Sequence, residues 1–121
     1  MTGEVVQRFR DKFTLDKRLE ESARVIGKHP DRLPIIIESN DQELLDRIDR
    51  TKYLIPNTMT VGGFITVLRR RIDLEPSEAI FVLVDGSILP PTAATMSELY
   101  NQYQDRDHFL YLLVTKESTF G

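Results

Sequence analysis

Apolar and polar positions first repeat with helical spacing and then change to the runs typical of strands. Apolar residues four apart at Val5, Phe9 and Phe13 predict a short helix from position 4 to 13. A second helix is predicted over 16–26, with Gly27 as its C-cap. Its buried stripe consists of Leu15, Leu19, Ala23 and Ile26. Glu21 and Val25 lie four apart off that stripe, so they share a second face, interpreted as bare surface.

Strand-like runs follow. The Ile-rich segment 32–38 predicts the first strand. The polar stretch 39–50 predicts a loop with at most one helical turn. Tyr53–Ile55 predicts a short strand that Pro56 ends, and a strand closed by proline is typical of a sheet edge. Continuous apolar runs at 79–84 and 109–114 predict two strands buried on both faces. Asp85-Gly86 predicts a hairpin turn into a short strand at Ile88-Leu89, which Pro90-Pro91 ends.

A helix follows the predicted edge strand. Thr60 is a suitable N-cap for it. At about 100° per residue, Val61, Leu68 and Ile72 form the core stripe, with Ile65 and Phe64 at its borders. Val67 falls outside the stripe beside Phe64, with Arg71 between them. An apolar pair and a cation facing away from the core, next to a free strand edge, favour a groove for an extended peptide. The alternative is that Val67 is a scattered surface apolar residue.

A last helix is capped by Thr95 or Ser97, with Met96, Leu99, Tyr100 and Tyr103 on one side. The predicted order is therefore two helices followed by ββαββαβ. This order predicts an α+β fold, a ubiquitin-like β-grasp with two extra N-terminal helices. We expect one compact domain, with a helical extension at 1–28, a core at 29–116 and a tail at 117–121.

Composition narrows the functional classes. A net charge of −3 argues against general nucleic-acid binding, because phosphate contacts require a basic surface. The chain has no cysteine, which excludes disulfides, thiolate metal sites and thiol nucleophiles. No apolar run reaches membrane-spanning length, and no secretory signal is recognisable. These features predict a cytoplasmic protein.

Candidate catalytic residues are few. His29 and His108 lie in predicted turns without a neighbouring acid or serine, so both are interpreted as surface histidines. Gly62-Gly63 is no phosphate loop, because no Lys-Ser or Lys-Thr pair follows it. The run Arg69-Arg70-Arg71 is typical of a solvated helix face. We therefore predict that the protein is not an enzyme and has no metal site or cofactor.

Several motifs together resemble the autophagy ubiquitin-like modifiers of the GABARAP type. The resemblance covers positions 9 to 121 and is carried by Lys52-Tyr53-Leu54-Ile55-Pro56, Thr60-Val61-Gly62, Arg69-Arg70-Arg71-Ile72, Leu89-Pro90-Pro91-Thr92-Ala93-Ala94-Thr95-Met96, Phe109-Leu110-Tyr111 and Phe120-Gly121. It implies that a cysteine protease recognises Phe120 and Gly121, and that activating and conjugating enzymes join Gly121 to phosphatidylethanolamine. The lipidated form would lie on the autophagosome membrane. Gly63 departs from the family, where a bulkier polar residue is common.

The resemblance also implies a groove that binds cargo receptors and scaffold proteins through an aromatic-x-x-aliphatic motif. The aromatic pocket would consist of Glu21, Val25, Pro34, Ile36, Lys52, Leu54 and Phe109. The aliphatic pocket would consist of Tyr53, Ile55, Pro56, Met59, Phe64, Val67, Leu68 and Arg71. Arg32 would pair with acidic residues of partners. The alternative function is a non-conjugated adaptor in vesicle traffic that uses only this groove. An unrelated small enzyme is disfavoured by the missing catalytic constellation.

Overall fold

The computed structural model describes residues 8–116. Its elements are α1 (Phe9–Lys12), α2 (Leu15–Lys28), β1 (Arg32–Glu38), α3 (Gln42–Asp46), β2 (Lys52–Pro56), α4 (Val61–Arg71), β3 (Phe81–Val84), α5 (Met96–Tyr103) and β4 (Leu110–Thr115). The four strands form one sheet in the order β2-β1-β4-β3. β1 and β4 are parallel in the centre, and each pairs with an antiparallel edge strand. The predicted α+β, ubiquitin-like fold is therefore confirmed.

The hairpin after β3 is shorter than predicted. Asp85 and Gly86 both have positive φ, 54° and 80°, which is the backbone that a tight hairpin turn requires. Beyond the turn, however, pairing is limited to one bridge between Val84 and Ile88. The predicted strand at Ile88-Leu89 is thus reduced to a single bridge, because Pro90 and Pro91 have no N–H to extend a ladder.

Burial of the strands differs from the prediction in one respect. β4 is not buried on both faces: its residues alternate between buried and half-buried along the strand. β1 is the strand buried on both faces from Leu33 to Glu38. The core cluster covers its inner face and α2 packs against it on the other. Tyr111 and Leu113, on the outer face of β4, stay half-buried and line a polar cleft.

Helix α4 begins as predicted, since the Thr60 side chain accepts a hydrogen bond from Gly63 N. The prediction that Phe64 faces away from the core is wrong, because its side chain is 0% exposed. Its ring packs edge-on against Tyr53, with centroids 5.6 Å apart. The first turn of α4 is fixed by hydrogen bonds from Val61 N and Gly62 N to the loop before α5. Helical periodicity alone does not predict the rotation of α4 about its axis that these hydrogen bonds impose.

The two adjacent glycines of this turn provide a matched pair. A methyl group at Gly62 would lie 3.3 Å from Thr92 O, which accepts the Gly62 N–H at 2.9 Å. At Gly63 it would lie 3.3 Å from Met59 Cγ and 3.3 Å from the capping oxygen Thr60 Oγ1, both of them side-chain atoms that can adjust more easily than backbone. We expect Gly63→Ala to raise the free energy of unfolding by about 0.5 kcal/mol through helix propensity. We expect Gly62→Ala to lower it. Equilibrium urea unfolding measures both, and equal changes at the two positions would contradict this account.

Helix α2 is longer than predicted and turns a different side to the protein. It runs through Gly27, so the C-cap is His29 and not Gly27. The residues buried on α2 are Arg18 and Ser22, whereas Ala23 of the predicted stripe is exposed. Leu15, Leu19 and Ile26 are only half-buried. The polar side faces inward because buried partners for it lie at the start of β4.

Candidate functional site

Strand β2 has one bonded side and one free side. Its ladder with β1 is continued at one end by a hydrogen bond from Ile37 N to Thr51 O at 2.8 Å. At the other end Asn57 N donates to Asp31 O at 3.0 Å. Along an antiparallel ladder, residue pairs that exchange hydrogen bonds alternate with pairs that do not. The two bonds above therefore fix which residues of β2 point their backbone N–H and C=O groups toward β1.

Those residues are Tyr53 and Ile55, opposite Ile35 and Leu33. Leu54 lies opposite Pro34, which has no N–H to donate. The backbone N–H and C=O groups of Lys52 and Leu54 therefore point away from β1, toward the free edge. An extended peptide could pair with these groups as a further strand.

Side chains of β2 alternate between two sides of this edge. Tyr53 and Ile55 are buried in the core cluster together with Phe64 of α4. Lys52 and Leu54 belong to the opposite face, toward α2, and are exposed and half-buried respectively. The β2 members of the two predicted pocket sets consequently lie on opposite faces of the strand, except that Pro56 at its end shares the face of Lys52 and Leu54.

The aromatic-pocket residues are brought together between α2, β1 and β2. Glu21 Oε2 and Lys52 Nζ form an ion pair of 3.2 Å that bridges α2 to β2. Val25 and Leu54 are half-buried. The remaining members, Pro34, Ile36 and Phe109, are buried. Glu21 and Val25, interpreted from periodicity as bare surface, are thus parts of a packed contact with the sheet edge.

A cleft of about 540 Å³ opens beside this ion pair. Its lining consists of Phe9, Phe13, Lys17, Arg18, Glu20, Glu21, Arg24 and Lys52. Only Glu21 and Lys52 were predicted as site residues. The sequence signal for the missed aromatic residues was the spacing of Phe9 and Phe13, which predicted a helix but not what it covers. Phe13 is 45% exposed, unusual for a large apolar side chain.

The charges at the cleft stabilise each other. Burial tends to raise the pKa of Glu21, but hydrogen bonds from Arg24 and Lys52 outweigh it and hold the pKa below its ordinary value. Arg24 Nη2 reaches both carboxylate oxygens at 3.0 Å. The rim of the cleft thus carries an ionised carboxylate between two cations.

The aliphatic-pocket residues form a floor and a rim. Tyr53, Ile55, Phe64 and Leu68 are each 6% exposed or less, so they are core residues that make the floor. The rim consists of the half-buried Met59 and Val67, with the exposed Arg71, whereas the half-buried Pro56 ends β2 on the face of Leu54. A partner side chain on this face would therefore contact the rim.

Polar groups near this rim are held loosely or lack a partner. Arg71 Nη1 lies 3.4 Å from Asp49 Oδ2. The Tyr53 hydroxyl is buried with no hydrogen-bond partner, and burial raises the pKa of Tyr53. On the opposite side of the edge, exposed Arg32 donates from Nη1 to Leu54 O at 3.4 Å. Arg32 therefore lies over one of the outward carbonyls.

Comparison with known proteins identifies the family. The family model described as "Autophagy protein Atg8 ubiquitin like" matches residues 17–121. The chain belongs to the Atg8 family. It is a ubiquitin-like protein of autophagy, as its motifs predicted.

Atg8 relatives match almost end to end. Autophagy-related protein 8h of Arabidopsis thaliana is 47% identical over 119 residues, covering 98% of this chain and 99% of the relative. Autophagy-related protein 8 of Schizosaccharomyces pombe is 48% identical over 113 residues, 93% of each chain. Among solved structures, Trypanosoma brucei ATG8 is similar at a TM-score of 0.80 and 38% identity, covering 95% of this chain and 98% of that one. Plasmodium falciparum Atg8 in complex with a Plasmodium falciparum Atg3 peptide is similar at a TM-score of 0.84 and 29% sequence identity, covering 95% of this chain and 100% of that one.

In this Atg8-family chain a buried polar network fastens α2 to the start of β4. Arg18 Nη1 lies 2.6 Å from Asp107 Oδ2, and the Asp107 side chain is 0% exposed. The Tyr111 hydroxyl donates to the same oxygen at 2.5 Å, while Phe109 N donates to Asp107 Oδ1 at 2.8 Å. Ser22 Oγ donates to Asp107 O at 2.7 Å. This network positions α2, and with it Glu21, beside the free edge of β2.

Two findings concern other functional classes. Among residues 8–116, no group of His, Asp and Glu side chains is arranged to hold a metal ion. In the same range no helix is long and apolar enough to cross a membrane. Phe120 and Gly121, predicted for protease recognition and lipid attachment, lie outside the described residues.

Proposed function

We propose that this chain is a ubiquitin-like modifier conjugated through Gly121 to phosphatidylethanolamine, acting in autophagosome formation. In this proposal it recruits cargo receptors and scaffold proteins through an aromatic-x-x-aliphatic motif. It is cytoplasmic before conjugation and lies on the autophagosome membrane when lipidated. A family cysteine protease and the activating and conjugating enzymes act on residues 117–121, and the remainder supplies the binding surface.

The observation that carries the groove is the free edge of β2. Lys52 and Leu54 point their backbone N–H and C=O groups outward, between two sets of apolar side chains on opposite faces of the strand. A peptide strand added there would place alternate side chains on the two faces. A motif whose anchors are three positions apart therefore reaches the Glu21–Lys52 side with one anchor and the rim of Met59 and Val67 with the other.

Family membership supports the same proposal. The Atg3 peptide bound by Plasmodium falciparum Atg8 is a peptide partner of a family member with the same fold. By analogy, we infer that this chain binds peptides of its conjugating machinery as well as receptor motifs. The acidic Glu21 and basic Lys52, Arg24 and Lys17 at the cleft favour partners with charged residues flanking the aromatic anchor.

Leu54→Ala tests the groove. Leu54 is half-buried on the groove face, so truncating it removes an apolar contact from the centre of the binding surface. We expect the variant to bind a dye-labelled aromatic-x-x-aliphatic peptide more weakly by about 1–3 kcal/mol, as for other buried interface anchors. Fluorescence polarisation at fixed salt measures the dissociation constant.

The matched control is Leu89→Ala, the same truncation at a 53% exposed position in the hairpin after β3. β3 is the opposite edge of the sheet, so we expect wild-type affinity there. Equal affinities of the Leu54→Ala variant and the wild type would defeat the groove assignment. Phe64 is unsuitable for this test, because truncating a fully buried ring costs about 3–5 kcal/mol of stability.

A further inference from the structure

Helix α1 places an aromatic side chain on the floor of the proposed aromatic pocket. The Phe9 ring meets the buried Phe109 ring edge to face, with centroids 5.3 Å apart. Lys52 Nζ lies 5.5 Å from the centroid of the same ring. Phe109 and Lys52 are both members of the aromatic-pocket set. Phe9 thus makes the ring-edge and cation–π contacts that an aromatic anchor of a partner would make at this place.

Phe9 also covers the pocket floor. The cleft of about 540 Å³ is lined by Phe9, Glu21 and Lys52, but its lining does not include Phe109. A second cleft of about 410 Å³ also includes Phe9 but not Phe109; its lining consists of Phe9, Lys12, Phe13, Ile36, Ile37, Glu38, Gln42, Leu45, Thr51 and Lys52. Phe9 therefore lines both openings and lies over Phe109. A partner ring that enters from either opening reaches Phe109 only if Phe9 moves.

The attachment of α1 to the sheet is weak. The helix has four residues and none of them is buried. Helices this short are not stable on their own in water, so α1 depends on its contacts with the sheet. Apart from Phe9 these come mainly from Arg10, whose guanidinium lies 4.0 Å from the centroid of the Tyr111 ring.

The ion pairs of Arg10 are long and partly unsatisfied. Arg10 lies 3.3 Å from Asp105 Oδ1 and 3.5 Å from Glu38 Oε1. Arg10 Nε and Glu38 Oε2 are buried without hydrogen-bond partners, which costs free energy. Burial also raises the pKa of Glu38, despite the nearby charge of Arg10. The docked position of α1 is thus opposed by unsatisfied polar groups beneath it.

We propose that Phe9 is an internal occupant of the aromatic pocket, latched by Arg10, and that α1 must leave the sheet before a partner's aromatic side chain reaches Phe109. The proposal rests on the groove function given above and adds its regulation. The pocket is closed while α1 is docked. The apparent affinity for motif peptides is therefore the affinity of the open pocket multiplied by the fraction of molecules in which the pocket is free. Any partner that holds α1 away from the sheet strengthens receptor binding.

The test compares full-length variants by fluorescence polarisation with one dye-labelled peptide that carries a Trp-Glu-Glu-Leu core. Phe9→Ala removes the occupant, and we expect it to tighten binding by about 5-fold, the effect of freeing a pocket that is open in one molecule in five. Arg10→Ala is expected to tighten binding as well, although Arg10 contacts none of the pocket residues. Lys28→Ala is the control: it removes an exposed cation from the last turn of α2, away from α1, and we expect unchanged affinity.

Each outcome decides the proposal. Tighter binding by both the Phe9 and Arg10 variants, with Lys28→Ala unchanged, supports it. Equal affinity of wild type, Phe9→Ala and Arg10→Ala overturns the internal occupant while the groove stands. Weaker binding by Phe9→Ala also overturns it, because Phe9 would then be a lining residue that contacts the bound peptide. If no chain binds the peptide, the groove function itself fails and the regulation fails with it. In amide NMR spectra of the wild type, saturating peptide should move the signals of residues 8–12 toward those of an unfolded chain.

Discussion

Incubated with its activating and conjugating enzymes, ATP and phosphatidylethanolamine vesicles, this chain is expected to gain the mass of one lipid less one water. The new amide joins the Gly121 carboxyl group to the lipid amine. The Gly121→Ala variant is expected to remain unmodified, since the added methyl group would obstruct a narrow enzyme channel and hinder adenylation. Intact mass measures both products, and the predicted contrast is all or none.

The reaction without ATP is the control for non-enzymatic transfer. Wild-type motif-peptide binding by Gly121→Ala would establish that the variant is folded. An adduct on Gly121→Ala would place the acceptor bond elsewhere in the chain. If neither chain forms an adduct while a working family member does with the same enzymes, the conjugation proposal is wrong. The groove would then be the whole function, which is the adaptor alternative.

The second large effect concerns stability. We expect Arg18→Ala to lower the free energy of unfolding by about 3–5 kcal/mol, because it leaves the fully buried Asp107 carboxylate without its cation. Although burial opposes the charge of Arg18, hydrogen bonding to Asp107 outweighs it and raises the pKa of the guanidinium. Burial, together with the hydrogen bond to Asp107, also raises the pKa of Tyr111 far above its ordinary range. Arg18 therefore stays charged and Tyr111 stays protonated at neutral pH.

Arg24→Ala is the matched control on the same helix. Arg24 pairs with Glu21 at 3.0 Å, but its side chain is 54% exposed. Such surface pairs contribute about 0–1 kcal/mol, so we expect a small loss. Urea unfolding of both variants gives the comparison. Similar losses for the two substitutions would mean that the Arg18–Asp107 pair does not anchor α2.

The same anchoring connects stability to the groove. Arg18 and Ser22 hold α2 against the residues just before β4, and α2 carries Glu21, which pairs with Lys52 of the edge strand. We expect Arg18→Ala to weaken peptide binding at temperatures where the chain is still folded. The reason is that α2 carries part of the proposed aromatic pocket. The proposed aliphatic rim is carried by α4 and does not depend on the position of α2.

The end of β4 is also held by charge. Lys116 Nζ lies 2.6 Å from Glu43 Oε1 and 3.8 Å from Glu78 Oε2. Hydrogen bonding to Glu43 raises the pKa of Lys116, which therefore stays charged. These contacts fix the end of β4 beside α3.

Local rules in the sequence determined the order of the elements and the free edge. Pro56, lacking an N–H, ends β2 and marks it as an edge strand, and β2 is the edge strand of the sheet. Thr60 caps α4, and Thr95 caps α5 in a reciprocal capping box with Glu98. Asp85-Gly86 makes the predicted hairpin turn. Each of these features is set within a few neighbouring residues, so a single sequence contains it.

The tertiary structure alone decided which faces are buried. The buried stripe predicted for α2 did not include Arg18 and Ser22, because their partner Asp107 is 89 and 85 residues away. Periodicity likewise placed Phe64 at the border of the stripe, whereas its contact with Tyr53 buries it completely. The docking of Phe9 on Phe109 is a third such contact. A local sequence pattern cannot predict such burial, because the charge or ring that makes it favourable belongs to another element of the fold. Only the folded chain brings the two together.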